Sequence, residues 1–178
     1  MQLNARVKDF IESNIDLFES LNYPAIYTKA EYQDLRKISQ LHEIWKHLEV
    51  DPLKELTYIP FCYFGSNTHD EIELPKNIDR IQQFAFYDCE INKLTLPIQI
   101  EMIEGNAFRY AIIHELVMNC PLTDMSENAF AYAEIDVLKF NGTLAQFQST
   151  FPDILPCTIK ELVCIDITIN NPSSSWRT

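Results

Sequence analysis

Glycine is scarce in this chain, occurring only 3 times in 178 residues. Gly65, Gly105 and Gly142 stand far apart in the sequence. A P-loop and a dinucleotide-binding turn each need several glycines within a few residues. The sequence therefore excludes both nucleotide-binding motifs.

Basic residues are also few, with 14 lysines and arginines against 26 acidic residues and a net charge of -12. Binding to nucleic acid or to an anionic membrane needs basic side chains that neutralise phosphates. Both are therefore poor predictions for this chain. Residues 59–178 contain 7 basic and 16 acidic residues, so most of the net charge lies there. This asymmetry favours a basic partner for that part of the chain.

No apolar run approaches the length of a signal peptide core or a membrane span. The five cysteines include no C-x-x-C pair and stand among apolar and aromatic residues. They are interpreted as buried, reduced thiols, which predicts a cytoplasmic location. The five are Cys62, Cys89, Cys120, Cys157 and Cys164.

Residues 2 to 48 read as two amphipathic helices. Apolar residues in the first recur at spacings of three, four and seven, from Leu3 to Leu21. The second begins at Thr28-Lys29-Ala30-Glu31, which matches a capping box. We therefore predict a helical N-terminal cap over residues 1–58.

From residue 59 the sequence repeats with a period of 22 residues over four units. A fixed period of this length is typical of a solenoid, in which each unit buries its apolar face against the next. An Ala-Phe pair follows four residues after the first column and is expected to form a tight helical turn, with the phenylalanines stacked. The clearest columns are Ile59, Ile81, Ile103, Met125; Phe64, Phe86, Phe108, Phe130; and Ile72, Leu94, Leu116, Leu138.

Each repeat also contains an alternating apolar segment, such as Ile72-Glu73-Leu74, that predicts a short strand. Residues pointing away from the core would form a candidate partner-binding face, because solenoids bind along such extended surfaces. Val117 and Val137 are its expected exposed apolar positions. The full predicted set is Glu71, Glu73, Lys93, Thr95, Glu115, Val117, Val137 and Lys139. A solvated sheet without a ligand is the alternative.

The repeats are predicted over residues 59–144. After Leu144 the period decays, and a strand at Leu162 and Cys164 fits only if two extra residues are allowed. Residues 145–169 are therefore predicted to form a degenerate capping coil, since solenoids need atypical end units. Residues 170–178 are predicted to be a flexible tail.

One repeat resembles the BspA-like leucine-rich repeat, and it reads Leu74-Pro75-x-x-Ile78-x-x-Ile81-x-x-x-Ala85-Phe86-x-x-Cys89. The resemblance implies an α/β fold: a short leucine-rich repeat solenoid with a parallel sheet on one face, here joined to the helical cap. The family often has glycine after the first-column isoleucine. Here that position holds Pro60, Gln82, Glu104 and Ser126.

The helical segment and its Asp51-Pro52-Leu53 entry also look like small leucine-rich repeat proteins carried by tailed bacteriophages. That resemblance implies an accessory protein acting in the cytoplasm of an infected bacterium.

Catalytic and metal-binding constellations are missing from the sequence. His42 and His47 are five residues apart, so they do not share a helix face. No spacing of His69, His114 and the cysteines supplies four tetrahedral zinc ligands. There is no G-x-S-x-G elbow, and acidic pairs such as Glu101 with Glu104 or Glu134 with Asp136 are expected by chance in so acidic a chain. The prediction is a non-enzyme without cofactor or metal.

Three functions remain open. The first is a non-enzymatic protein–protein interaction, as a phage accessory protein that inhibits or redirects a bacterial factor. The second is an acidic nucleic-acid mimic that blocks a basic DNA- or RNA-handling protein. The third is a structural component of a larger assembly.

Overall fold

The computed structural model describes residues 53, 56–60, 63–119, 124–151 and 157–172. The predicted helical cap lies almost wholly outside these residues, and so does the end of the tail. The described part contains strands β1 (Tyr58–Ile59), β2 (Thr68–Glu73), β3 (Arg80–Ile81), β4 (Glu90–Leu96), β5 (Met102–Ile103), β6 (Ile112–Met118), β7 (Asp124–Met125), β8 (Glu134–Phe140), helix α1 (Leu144–Thr150), β9 (Thr158–Val163) and β10 (Thr168–Asn170).

The strands form two sheets, in which all neighbouring strands are parallel except β10, which is antiparallel to β9. The larger has the order β10-β9-β8-β6-β4-β2, and the smaller consists of the two-residue strands β1-β3-β5-β7. The register advances by one repeat per strand, pairing Ile72 with Leu94, Leu94 with Leu116 and Leu116 with Leu138. The described chain is thus a β-solenoid of about four turns with repeats of about 22 residues. The predicted solenoid and its parallel sheet are confirmed.

The core lies between the two sheets and consists of the repeating apolar columns. Leu94, Leu116 and Ile81 have essentially no exposed surface. Full burial of a Leu, Ile or Phe side chain stabilises by about 1.5–3 kcal/mol, so these columns are the main stabilising term. Four rings form the predicted phenylalanine stack, with successive centroids 4.8, 4.7 and 4.5 Å apart: Phe64, Phe86, Phe108 and Phe130.

The strands of the larger sheet depart from strict alternation. Ile91 and Leu94 are both buried although they are three residues apart, so Asn92 and Lys93 both lie on the outer face. In the sheet register, Ile91 and Lys93 of β4 have partners in β2 and β6, whereas Asn92 has none. Each of the four repeat strands therefore presents one more outward side chain than simple alternation predicts.

The expected helical turn at each Ala-Phe pair is wrong, because these segments are turns without helix. Besides bonds within the turn, such as the Tyr87 amide to Phe84 O at 3.0 Å, their amides donate to the next coil: the Phe86 amide to Ala107 O at 2.8 Å and the Asp88 amide to Arg109 O at 2.9 Å. A left-handed residue follows two positions after each stacked phenylalanine and redirects the chain into the strand. The four, with φ between 51° and 60°, are Ser66, Asp88, Tyr110 and Tyr132.

The positions where the family often has glycine continue the ladder of the smaller sheet. The Gln82 amide donates to Ile59 O, the Glu104 amide to Ile81 O and the Ser126 amide to Ile103 O. None of these three residues has a positive φ. Glycine is therefore unnecessary there, since any L-residue adopts this backbone.

The carboxyl end of the solenoid has a different construction. Thr143 and Gln146 form a capping box at α1, and Phe140, Phe147 and Phe151 pack together beneath it. Strand β9 then joins the sheet in parallel with β8, and β10 returns antiparallel to β9. No helix in the described segments is long and apolar enough to cross a membrane.

Candidate protein-binding face

The structure brings the eight predicted face residues together in two rows across β2, β4, β6 and β8. The first row pairs Glu71, Lys93, Glu115 and Val137, and the second pairs Glu73, Thr95, Val117 and Lys139. None of the eight is buried. All of them therefore lie on one accessible surface.

Strand β9 and two further rows enlarge this surface, which we call the sheet face. It comprises twenty outward residues, none of them buried: Thr68, Glu90, Ile112, Glu134, Thr158; Asp70, Asn92, His114, Asp136, Lys160; Glu71, Lys93, Glu115, Val137, Glu161; and Glu73, Thr95, Val117, Lys139, Val163. Eight of these side chains are carboxylates and three are lysines. The sheet face is therefore acidic, and its charged side chains are arranged in rows that cross the strands.

Ion pairs on the sheet face join every neighbouring pair of its five parallel strands. Lys93 Nζ lies 2.6 Å from Glu71 Oε1, between β4 and β2. Lys139 Nζ lies 2.6 Å from Glu115 Oε2, between β8 and β6. Such exposed pairs contribute only about 0.2–1 kcal/mol each, so they orient side chains more than they stabilise the fold.

His114 lies at the centre of the largest charged cluster on the sheet face. Its Nδ1 is 2.7 Å from Asp136 Oδ2, and its Nε2 is 3.6 Å from Glu90 Oε1. The hydrogen bond with Asp136 raises the pKa of His114 above its ordinary value. The same bond, with one from Lys160 at 2.6 Å, lowers the pKa of Asp136. The cluster joins β4, β6, β8 and β9.

Sequence reasoning missed this cluster and its row. The row follows from the extra outward residue in each strand, which an alternating pattern does not predict. The sequence nevertheless contains a signal for it: His114 and Asp136 are one repeat apart, a spacing that predicts neighbouring positions on successive coils. Lys160 lies 24 residues after Asp136 and not 22, so it joins this row only when the two-residue insertion before β9 is counted.

The structure adds larger exposed apolar side chains to the two valines that the sequence predicts. Val117 and Val137 are only partly exposed. The large apolar side chains that the structure does expose near the sheet face are Tyr110, at 42%, Ile112, at 40%, and Tyr132, at 49%. Tyr110 and Tyr132 are left-handed turn residues, and no periodicity rule for strands marks them as exposed.

Cys89 and His69 both make packing contacts within the described solenoid. Cys89 is buried, its Sγ donates to Phe86 O at 3.0 Å, and burial raises its pKa to about 12. His69 packs edge-on against Phe64 at the first coil. In the part of the chain that the structure describes, no group of three His, Cys, Asp or Glu residues is placed to hold a metal ion.

The repeat itself identifies the family. Residues 46–151 match the model described as the BspA type leucine-rich repeat region, with six copies. The chain belongs to this family. BspA-type repeats generally serve as protein-binding scaffolds and are typically non-catalytic. The matched range includes β1 to β8 and α1, so every row of the sheet face up to β8 belongs to BspA-type repeats.

No match to the chain was found among curated proteins or among solved structures.

Proposed function

We propose that the sheet face binds a protein partner with a basic surface and that the binding is non-catalytic. The observation that supports this proposal most strongly is the excess of eight carboxylates over three lysines on one accessible surface. Glu73, Glu134 and Glu161 form no ion pair with any described residue, and their carboxylates add to the acidity of the sheet face. Complementary potentials of this kind speed encounter and select partners.

The size of the sheet face sets a second requirement. Five strands about 4.8 Å apart, with up to seven residues rising about 3.3 Å each, cover roughly 500 Å². A standard interface buries about 800 Å² on each partner. A stable complex therefore has to reach past the strands, onto the turns that enter them or onto the ends of the solenoid.

The ion pairs between strands favour ordinary protein–protein recognition over mimicry of nucleic acid. A mimic has to reproduce the uniformly negative backbone of nucleic acid. Here Lys93, Lys139 and Lys160 each neutralise a carboxylate within the sheet face. The resulting mixed pattern of charges suits a mainly basic protein surface that also has some acidic side chains. A structural role would instead require regular oligomers, which light scattering detects.

The finer setting is also part of the proposal: a phage accessory protein that acts in the bacterial cytoplasm and inhibits or redirects a host factor. The resemblance of the amino-terminal segment to phage-carried repeat proteins supports it. Isolation of the tagged chain from bacteria should then yield a bacterial protein at fixed stoichiometry. The activity of that protein should fall when the chain is added, and an unchanged activity contradicts inhibition.

The test of the face uses two charge reversals of opposite sign on the isolated complex. Glu73→Lys removes acidity from the sheet face and should slow association, whereas Lys139→Glu adds acidity and should speed it. Glu127→Lys, in an exposed turn outside the sheet face, is the matched control. Association rates that respond equally to all three variants, or to none, contradict a basic partner at this face.

A further inference from the structure

An exposed apolar cluster lies where the turns enter the sheet face. Tyr110 and Tyr132 stack with ring centroids 5.3 Å apart and planes 17° from parallel, yet both remain more than 40% exposed. Ile112, the first residue of β6, is 40% exposed beside them. Stacked aromatic side chains at an accessible edge are typical anchors of protein interfaces. The cluster extends the sheet face in the direction that its small area requires.

A cavity of about 230 Å³ adjoins this cluster and is lined by Ser66, Asp88, Glu90, Tyr110 and Ile112, among others. Pockets for small molecules usually measure about 300–1,000 Å³. A water molecule occupies about 30 Å³ of liquid, so the cavity has room for one long side chain in place of several waters. Its size therefore suits a partner side chain better than a cofactor.

The lining of the cavity has the chemistry of a cation site. Asp88 forms no ion pair with the described residues, and burial raises the pKa of its carboxyl. Glu90, the first residue of β4, also lines the cavity, and among the described residues its carboxylate forms one ion pair, with His114 at 3.6 Å. Tyr110 lines the same cavity. A cation entering here would meet two carboxylates and an aromatic ring.

The same pair of rings already accommodates a guanidinium inside the fold. The Cζ atom of Arg109 lies 4.9 Å from the Tyr110 ring centroid and 5.2 Å from that of Tyr132. One of its terminal nitrogens donates to the Tyr110 hydroxyl at 3.1 Å. The two rings are therefore compatible with a guanidinium as a neighbour. A planar guanidinium can stack on an aromatic face, whereas an ammonium group cannot.

We propose that this cavity, which we call the Tyr110 pocket, binds an arginine side chain of the protein partner. The proposal rests on the proposed function and specifies the partner: its basic surface presents an arginine at the amino-terminal edge of the sheet face. The guanidinium pairs with Asp88 and Glu90, and its flat face lies against the tyrosine ring.

The direct test is an NMR titration of the full chain with acetyl-Gly-Arg-Gly-amide. We expect shifts at the amides of Asp88, Glu90, Tyr110 and Ile112. The lysine tripeptide should bind more weakly because it cannot stack. The citrulline tripeptide, which keeps the shape and loses the charge, should bind at least about fivefold more weakly. Equal binding of the arginine and citrulline peptides, or no shifts at these amides, overturns the proposal.

Matched variants separate the contributions within the pocket. Asp88→Asn and Glu90→Gln should each weaken the arginine tripeptide by about twofold to fivefold, and Tyr110→Leu by a similar factor. Glu127→Gln, in a turn away from the pocket, should leave the dissociation constant unchanged. The two carboxylate changes are conservative at exposed positions, so they test the proposal even if Tyr110→Leu does not fold. A dissociation constant that neither of them alters contradicts it.

The two proposals fail in different ways. A partner complex that is sensitive to Glu73→Lys but indifferent to the double variant Asp88→Asn with Glu90→Gln overturns the Tyr110 pocket and leaves the proposed function in place. Binding of the arginine tripeptide at the pocket together with a partner complex that ignores Glu73→Lys overturns the proposed function alone.

Discussion

Phe108 and Phe130 stack face to face, with ring centroids 4.5 Å apart and planes 2° from parallel. They are 22 residues, or one repeat, apart in sequence, so their contact joins equivalent positions of successive coils. The turn of Phe108 also donates amides to the turn of Phe130, with Phe108 N–H to Ala129 O at 2.8 Å and Tyr110 N–H to Ala131 O at 3.1 Å. The stack and the ladder together hold each coil in register with its neighbour.

Truncation of the stack at its middle should be strongly destabilising. Phe108 is fully buried, and Phe→Ala in a core costs about 3–5 kcal/mol. We expect Phe108→Ala to lower the free energy of unfolding by this amount in urea. Ile98→Ala, at a residue that is 62% exposed, should change it by less than about 0.5 kcal/mol. A loss below about 1 kcal/mol at Phe108 would mean that the stack is not a main stabilising element.

The left-handed turn residues predict a stabilising substitution. Ser66 has φ of 53°, which is unfavourable for a residue with a Cβ atom, so Ser66→Gly should raise the free energy of unfolding by about 0.5–1 kcal/mol. The same change at Ser149, in helix α1, should lower it by about 0.5 kcal/mol because glycine disfavours helix. Thermal unfolding measures both. A destabilised Ser66→Gly variant would be inconsistent with strain at this turn.

The His114 cluster predicts a pH dependence. The hydrogen bond with Asp136 raises the pKa of His114 above 6.5, so the folded chain holds this proton more tightly than the unfolded chain. The stability from the pair is full below pH 6.5 and is lost as the pH rises through the raised pKa. We expect Asp136→Asn to lower the pKa of His114 in an NMR titration, and Glu115→Gln to leave it unchanged. A wild-type pKa at or below 6.5 would contradict the cluster.

Cys89 should be inert to alkylation in the folded protein. Burial raises the pKa of its thiol to about 12, so only about one molecule in ten thousand holds the thiolate at pH 8. Iodoacetamide should therefore label Cys89 only as fast as the chain unfolds, and Phe108→Ala should accelerate the labelling. Peptide mass spectrometry follows the modification. Rapid labelling of the folded wild type would show that the thiol is accessible.

The period of 22 residues was enough to predict the solenoid, the parallel sheet and the phenylalanine stack, because identical columns can bury their side chains only by stacking. The turns could not be predicted in the same way. Tyr110 and Tyr132 adopt left-handed conformations against the local preference of tyrosine, and the Tyr110 amide bonds to Ala131 O of the neighbouring coil, a contact that no local pattern predicts.

The candidate site was predicted in part for a related reason. Glu73, Lys93 and the other six predicted residues do share one face, because strand alternation fixes their side. The row of His114 depends on two consecutive outward residues in each strand, and the position of Lys160 depends on a two-residue insertion. Neither feature follows from alternation.

The most direct test of the central claim, that the sheet face binds the partner, is site-specific photo-cross-linking in the native cell. A photoreactive residue replaces Thr95, at the middle of the sheet face, or Glu127, in an exposed turn outside it. We expect one discrete cross-linked protein from position 95 and none from position 127. Cross-links from position 127 alone, with none from position 95, would contradict it.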